Sequence, residues 1–157
     1  PVQQPMTAAT DRLLEACFTL DVAQAEQALA NGADVKDRDR ESNTPLLALL
    51  RQQYEHPHQR QAQGEIFALL IKSGALLQQK DAKGVSGFEW IEQRERGDLA
   101  EQWLALKGKK AAGILAKQME SHDLSTQWWS VVLGQHRERQ LQTALSGANP
   151  SHGRPRL

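Results

Sequence analysis

Apolar residues fall at three- and four-residue steps in short bursts along most of the chain: Leu13, Ala16 and Cys17; Val22, Ala25, Ala28 and Leu29; Ile66, Leu69 and Leu70; Leu99, Trp103 and Leu106. Such steps line one face of an α-helix, so each burst predicts a short amphipathic helix with a buried stripe. Gly32, Gly74 and Gly108 stand where helices would end in a left-handed turn that other residues resist. The run Thr44-Pro45-Leu46-Leu47-Ala48-Leu49-Leu50 is apolar almost throughout. The expected fold class is all-α, built from helix-turn-helix units.

Cap residues support these starts. Thr44 can accept from a free backbone N–H, and Pro45 occupies the first helical position, where its missing donor costs nothing. Ser86 and Glu89 have the spacing of a capping box. Asp21, Asp98 and Asp123 stand where second helices of a pair should begin, and Asp21 with Gln24 and Asp98 with Glu101 share that box spacing.

The chain also repeats itself. "NGADVKDRD" (31–39) returns as "SGALLQQKD" (73–81), and "DRESNTPL" (39–46) as "DAKGVSGF" (81–88), both displaced by 42 positions; "DLAEQW" (98–103) returns as "DLSTQW" (123–128). Two motifs sharing one displacement point to repeated structural units. "GADV" at 32–35 and "NTPL" at 43–46 resemble the ankyrin repeat, with the likeness good over about residues 10–110 and poor over 111–134. The resemblance implies an ankyrin-type solenoid of stacked helix pairs with projecting hairpin turns and an extra C-terminal helical unit. An ankyrin repeat has about 33 residues, so the surplus needs a location. Leu13 to Gly32 and Phe88 to Gly108 are similar spans, whereas Leu46 to Gly74 is longer; the polar stretch "RQQYEHPHQRQAQGE" (51–65) is therefore expected to be an inserted loop.

The expected organisation is an extension over 1–9 and a repeat domain over 10–134, divided into 10–38, 39–80 with its loop 51–65, 81–108, and a cap 109–134. Residues 135–157 follow, with 135–145 extending the last helix and 146–157 having the composition of a disordered end. The repeats are divergent: the histidine that usually follows Thr-Pro-Leu is replaced by Leu14, Leu47 and Glu89. Leu49, Leu50 and Ile91 stand where small residues would let helices approach, so they should spread or rotate the helices.

Composition narrows the function. Lysine plus arginine and aspartate plus glutamate are both 19 of 157 residues, a formal charge of zero that offers no global field for a nucleic-acid backbone. No apolar run approaches the roughly 20 residues of a membrane helix. The single cysteine, Cys17, fits a reducing compartment and equally a disulfide-free exported protein. The chain begins at Pro1, as expected of a processed or trimmed start. A soluble protein, cytoplasmic by default and exported if processed, is expected, with a monomer favoured.

No nucleophile, phosphate-loop or dinucleotide motif is present, and no cofactor or catalytic residue is expected. His56 and His58 flank Pro57 and form the one pair from which a small metal-dependent hydrolase could be built, but two imidazoles with Glu55 fall short of a site. Cys17 belongs to a buried stripe and reads as core. Trp103 reads as core too, and one of Trp128 and Trp129 is expected to meet the C-terminal helix or a partner. Arg137, Arg139, Arg154 and Arg156 read as a solvated basic end.

The resemblance implies a protein-binding scaffold, as an adaptor or as an inhibitor or immunity-type protein. Its contacts would come from the turns 36–43 and 79–86, the neighbouring first helices and the inserted loop. The expected partner-binding residues are Arg38, Arg40, Glu41 and Asn43 on the first turn, Leu47 and Arg51 on its helix, Tyr54 in the loop, and Glu89, Trp90 and Gln93 on the third first helix.

Overall fold

A computed structural model describes residues 7–121 and 124–148, which form eight helices: α1 (Ala8–Thr19), α2 (Val22–Ala30), α3 (Pro45–Arg51), α4 (Pro57–Lys72), α5 (Gly87–Gln93), α6 (Gly97–Lys107), α7 (Lys110–Glu120) and α8 (Thr126–Ala148). The described residues contain no strand, only an isolated antiparallel bridge between Lys80 and Ser86. The described residues are all-α, and no helix among them is long and apolar enough to cross a membrane.

Local chemistry sets the helix starts. Thr7 caps α1 by accepting from the Thr10 N–H at 3.2 Å, so residues 7–9 belong to the first helix rather than to an extension. Asp21 caps α2 and Thr44 caps α3, with Pro45 at its first position. Ser86 and Glu89 close a full capping box: Ser86 Oγ accepts from the Glu89 N–H at 3.3 Å, and the Glu89 carboxylate accepts from the Ser86 N–H at 2.8 Å. The box at Asp21 stays open, because Gln24 turns its amide to the Arg12 carbonyl and the Glu15 carboxylate instead. The box expected at Asp98 does not form. Helix α6 starts at Gly97, and Asp98 is held by the Arg96 guanidinium through two 2.9 Å bonds.

Packing arranges the helices in two rows, α1–α3–α5 and α2–α4–α6, and within each hairpin the two rows touch. The 42-residue displacement persists in backbone detail. Ala33 N–H donates to the Ala28 carbonyl, and Ala75 N–H to that of Leu70, after Gly32 and Gly74 at φ +91° and +101°. In one turn Asp39 Oδ1 accepts from the N–H groups of Glu41 and Asn43; in the other Asp81 Oδ1 accepts from those of Lys83 and Val85. Ser42 and Gly84, again 42 apart, both take positive φ.

One seam of side chains joins the rows: Leu13 and Cys17 from α1, Leu46, Leu49 and Leu50 from α3, Ile66, Phe67 and Leu70 from α4, then Phe88, Ile91, Leu99 and Trp103. Residues 43–50 are all buried, because α3 lies between α1 and α5 and is backed by α4. An apolar run without a polar face suits that central place.

The stretch 51–65 is not an inserted loop. Only residues 52–56 lie outside helices; from Pro57 onward the chain is α4, at 16 residues longer than α2 with 9 or α6 with 11. Pro57 opens this helix, and Gln, Arg and Ala sustain it by propensity where no apolar stripe does. Gln63 anchors it: this buried amide donates to the Leu49 carbonyl at 2.9 Å and to that of Gln52, both at the end of α3, and its Oε1 accepts from the buried Arg96 guanidinium.

Helices α7 and α8 both pack on α6. Trp129, fully buried, meets Phe88 edge-on at 5.6 Å and donates its indole N–H to Glu92 at 3.1 Å. Trp128, the sequence counterpart of buried Trp103, is half-buried, so the 98–103/123–128 likeness does not carry into packing. The reason is the helix start: α6 begins one residue before Asp98, whereas α8 begins three residues after position 123. Residues 135–145 continue α8 as expected, and the helix runs on to Ala148, past the expected start of the tail at 146. Asp123, Arg154 and Arg156 lie outside the described residues.

Candidate interaction face

The first-row helices and the first of the two turns converge on a cavity of about 300 Å³ lined by Phe18, Glu41, Asn43, Ala48, Arg51, Gln52, Trp90 and Arg94. Its composition follows from the repeat register. Phe18, Arg51 and Gln93 occupy equivalent places on three helices, as do Glu15, Ala48 and Trp90, so adjacent units present them side by side.

Trp90 is the centre of this face. Its indole N–H donates to Asp81 Oδ2 at 3.1 Å, which ties helix α5 to its own turn. Two guanidinium groups flank the ring, Arg94 at 5.2 Å and Arg51 at 5.9 Å from the centroid, within reach of the ring quadrupole. Arg94 is further held by the Arg51 carbonyl at 2.8 Å and by Gln53 Oε1 at 3.1 Å, answering another carbonyl at the end of α3. Burial raises the Asp81 carboxyl, but the Val85 N–H, the Trp90 indole, the Lys83 N–H and the Arg51 charge outweigh it and hold the group below its ordinary value.

The expected contact residues divide into three groups. Arg40, Glu41, Arg51 and Gln93 are exposed, and Tyr54 and Trp90 are half-exposed on the same side as the turns or in the linker between α3 and α4. Arg38 and Glu89 are engaged internally: Arg38 Nη1 donates to the Ser42 carbonyl at 2.6 Å and to the Lys80 carbonyl at 2.7 Å, fastening one turn to the next, while Glu89 closes its capping box. Asn43 and Leu47 are corrected, being only 3% and 1% exposed. Leu47 is enclosed with the rest of central α3, and Asn43 is drawn in by backbone bonds with Asp39 on both its N–H and its carbonyl. Asn43 still reaches the cavity wall; Leu47 does not line it.

Sequence reading missed Phe18 and Arg94. Phe18 is 49% exposed and is the large apolar group at the rim. The register that places it beside Arg51 was available, but Cys17 next to it marks a buried stripe and draws attention inward.

The candidate chemical groups lie elsewhere. Cys17 is fully buried, and burial pushes its thiol up to about 12, which leaves no thiolate at neutral pH. His56 and His58 are exposed at the start of α4 with rings stacked 5.5 Å apart, and no group of three or more His, Cys, Asp or Glu that could hold a metal occurs among the described residues. A larger groove of about 760 Å³ runs along the second row past Val22, Glu26, Gly64, Leu69 and Asp98. Two of its charges are already engaged, Arg60 by the Tyr54 carbonyl and Asp98 by Arg96. Near α8, Arg139 pairs with Glu101, and Arg137 is exposed.

No protein-family model matches this chain, and comparison with curated proteins gives no significant match.

Proposed function

We propose that the chain is a short, divergent ankyrin-type solenoid acting as a protein-binding scaffold, with α7 and α8 closing one end of the stack. The observation that carries this reading is the pair of turns 42 residues apart with the same aspartate-centred bonds, each followed by a capped helix of the first row. Repeated turns that lean on one another through Arg38 form a ledge, and the adjoining helices present Arg51, Trp90 and Gln93 beside it. Rigid ledges carrying aromatic and arginine side chains suit protein contacts, where such residues supply most of the binding energy. A single dedicated partner, whether a target inhibited or a protein bridged, fits so small an array.

The test is affinity capture from a native lysate with the full chain, with a turn variant (Arg40→Glu and Lys83→Glu) and with a second-row variant (Glu26→Gln and Glu65→Gln). One protein captured stoichiometrically by the wild type and the second-row variant, and lost with the turn variant, is expected. Capture that ignores the turn charges, or no stoichiometric partner at all, refutes the reading. Deleting residues 53–62 is unsuitable as a test, since it would remove the first turns of α4 and displace the Gln63 anchor.

A further inference from the structure

We propose that the cavity at Trp90 seats an acidic residue within an extended segment of a partner protein. The carboxylate lies on Arg51, the adjacent main chain meets Asn43 and Arg94, and a neighbouring apolar side chain packs on Phe18 and Trp90. This rests on the scaffold reading and names the chemistry of its partner.

Polar atoms, charge and apolar surface converge here. Asn43, a residue of the cavity wall, is 3% exposed and its buried Oδ1 has no hydrogen-bond partner. Arg94, of the same wall, has a buried Nε donor that is likewise unpartnered. Buried polar atoms are nearly always satisfied, so an orphaned acceptor and an orphaned donor in one small cavity mark a place where partners arrive from outside. A peptide unit brings one N–H and one carbonyl, which is the matching pair. Both atoms are enclosed, so a modest movement of cavity side chains accompanies entry.

The charges select the side chain. Arg51 is exposed, and its guanidinium donates no hydrogen bond and forms no ion pair among the described residues; it approaches the Trp90 ring and reaches Asp81 only through its field. The nearby carboxylates are committed elsewhere, Asp81 to the indole and its turn, Glu89 to the Ser86 N–H. A guanidinium held over an aromatic ring, with no carboxylate bonded to it, is a seat for one. Glu41 also lines the cavity and repels an acid at its own side chain, which leaves Arg51 as the seat. Phe18 and the free part of the Trp90 ring supply the apolar contact.

Random dodecapeptides displayed on phage are selected against the full chain. The expected winners carry Asp or Glu next to a large apolar residue. Binding of one such peptide, measured by fluorescence anisotropy, should weaken at least about tenfold with Arg51→Gln. It should weaken similarly when the peptide's acid becomes its amide, and the two losses should not add. Arg51→Gln removes no hydrogen bond of the fold and only the exposed charge over Trp90 and near Asp81, so a small shift in the melt is expected; Trp90→Phe is a second variant that keeps a ring. Winners without an acid, or affinity indifferent to Arg51→Gln, overturn the cavity assignment and leave the scaffold reading to the capture experiment. Failure to enrich any peptide overturns a linear segment as the occupant, while stoichiometric capture would still uphold the scaffold. A dimer in sedimentation that Arg51→Gln dissolves makes the occupant a second copy and also overturns the proposal.

Discussion

Asp81 joins backbone, ring and charge in one side chain: it caps its own turn through Lys83 and Val85, holds the Trp90 indole, and lies in the field of Arg51. A carboxyl whose value is lower in the folded than in the unfolded chain contributes stability that is complete above the unfolded value, about 3.9 for aspartate. That contribution is lost as pH falls through the folded value. Asp98, lowered by Arg96 against the opposing effect of burial, has the same sign. Asp81→Asn should therefore melt lower than wild type at neutral pH and show less further loss on acidification below about pH 4; an unchanged acid profile would show that Asp81 does not carry it. Cys17 makes the opposite case of a reactive group silenced by burial. The native protein should leave it unlabelled by iodoacetamide at pH 8 while guanidinium-unfolded chain reacts fully; rapid native labelling would place α1 away from α2 and α3.

At the scale of elements, caps and turns explain where helices begin, and close approach explains one exception. The third first-row helix has Gly87 where the second has Pro45. Its N–H donates to the Leu77 carbonyl at 2.9 Å, and a Cβ there would stand 2.7 Å from Leu77 Cδ2 and 3.1 Å from the Leu77 carbonyl oxygen. Proline would forfeit the bond, and alanine would press on a buried leucine and its backbone. Gly87→Ala is expected to cost about 1–3 kcal/mol in denaturant unfolding, as overpacking does. A neutral result would mean that the turn and α5 can separate freely. Helix α4 teaches a different lesson. Its first turns lack any apolar rhythm, and what fixes them is the reach of Gln63 to the end of α3, with Arg96 holding Gln63 in turn.

Across the whole molecule, α8 is fastened to α5 through one large side chain. Trp129 covers Phe88, itself edge-on to Trp103 at 5.0 Å, and satisfies its indole on Glu92. Trp129→Ala should cost about 3–5 kcal/mol, the usual toll for emptying an aromatic site. Trp128→Ala should cost clearly less, since that ring is half-exposed. Equal effects in thermal melts would restore the sequence likeness between Trp128 and Trp103 as the better guide to packing.

What the amino-acid sequence determined alone is whatever is settled within a few residues of chain. The caps at Thr44 and Ser86, the left-handed glycines, the aspartate-bound turns and the 42-residue register all rest on bonds between near neighbours, and each was readable from residue type and spacing. Tertiary structure alone decided exposure. Asn43 and Leu47 were enclosed, Phe18 was left open, Trp129 rather than Trp128 was buried, and a polar stretch became helix. In each case the deciding groups arrive from another element: α1 and α5 around α3, Arg96 onto Gln63, Phe88 under Trp129. Burial is a property of what the fold brings alongside a residue, which its own sequence neighbourhood does not contain.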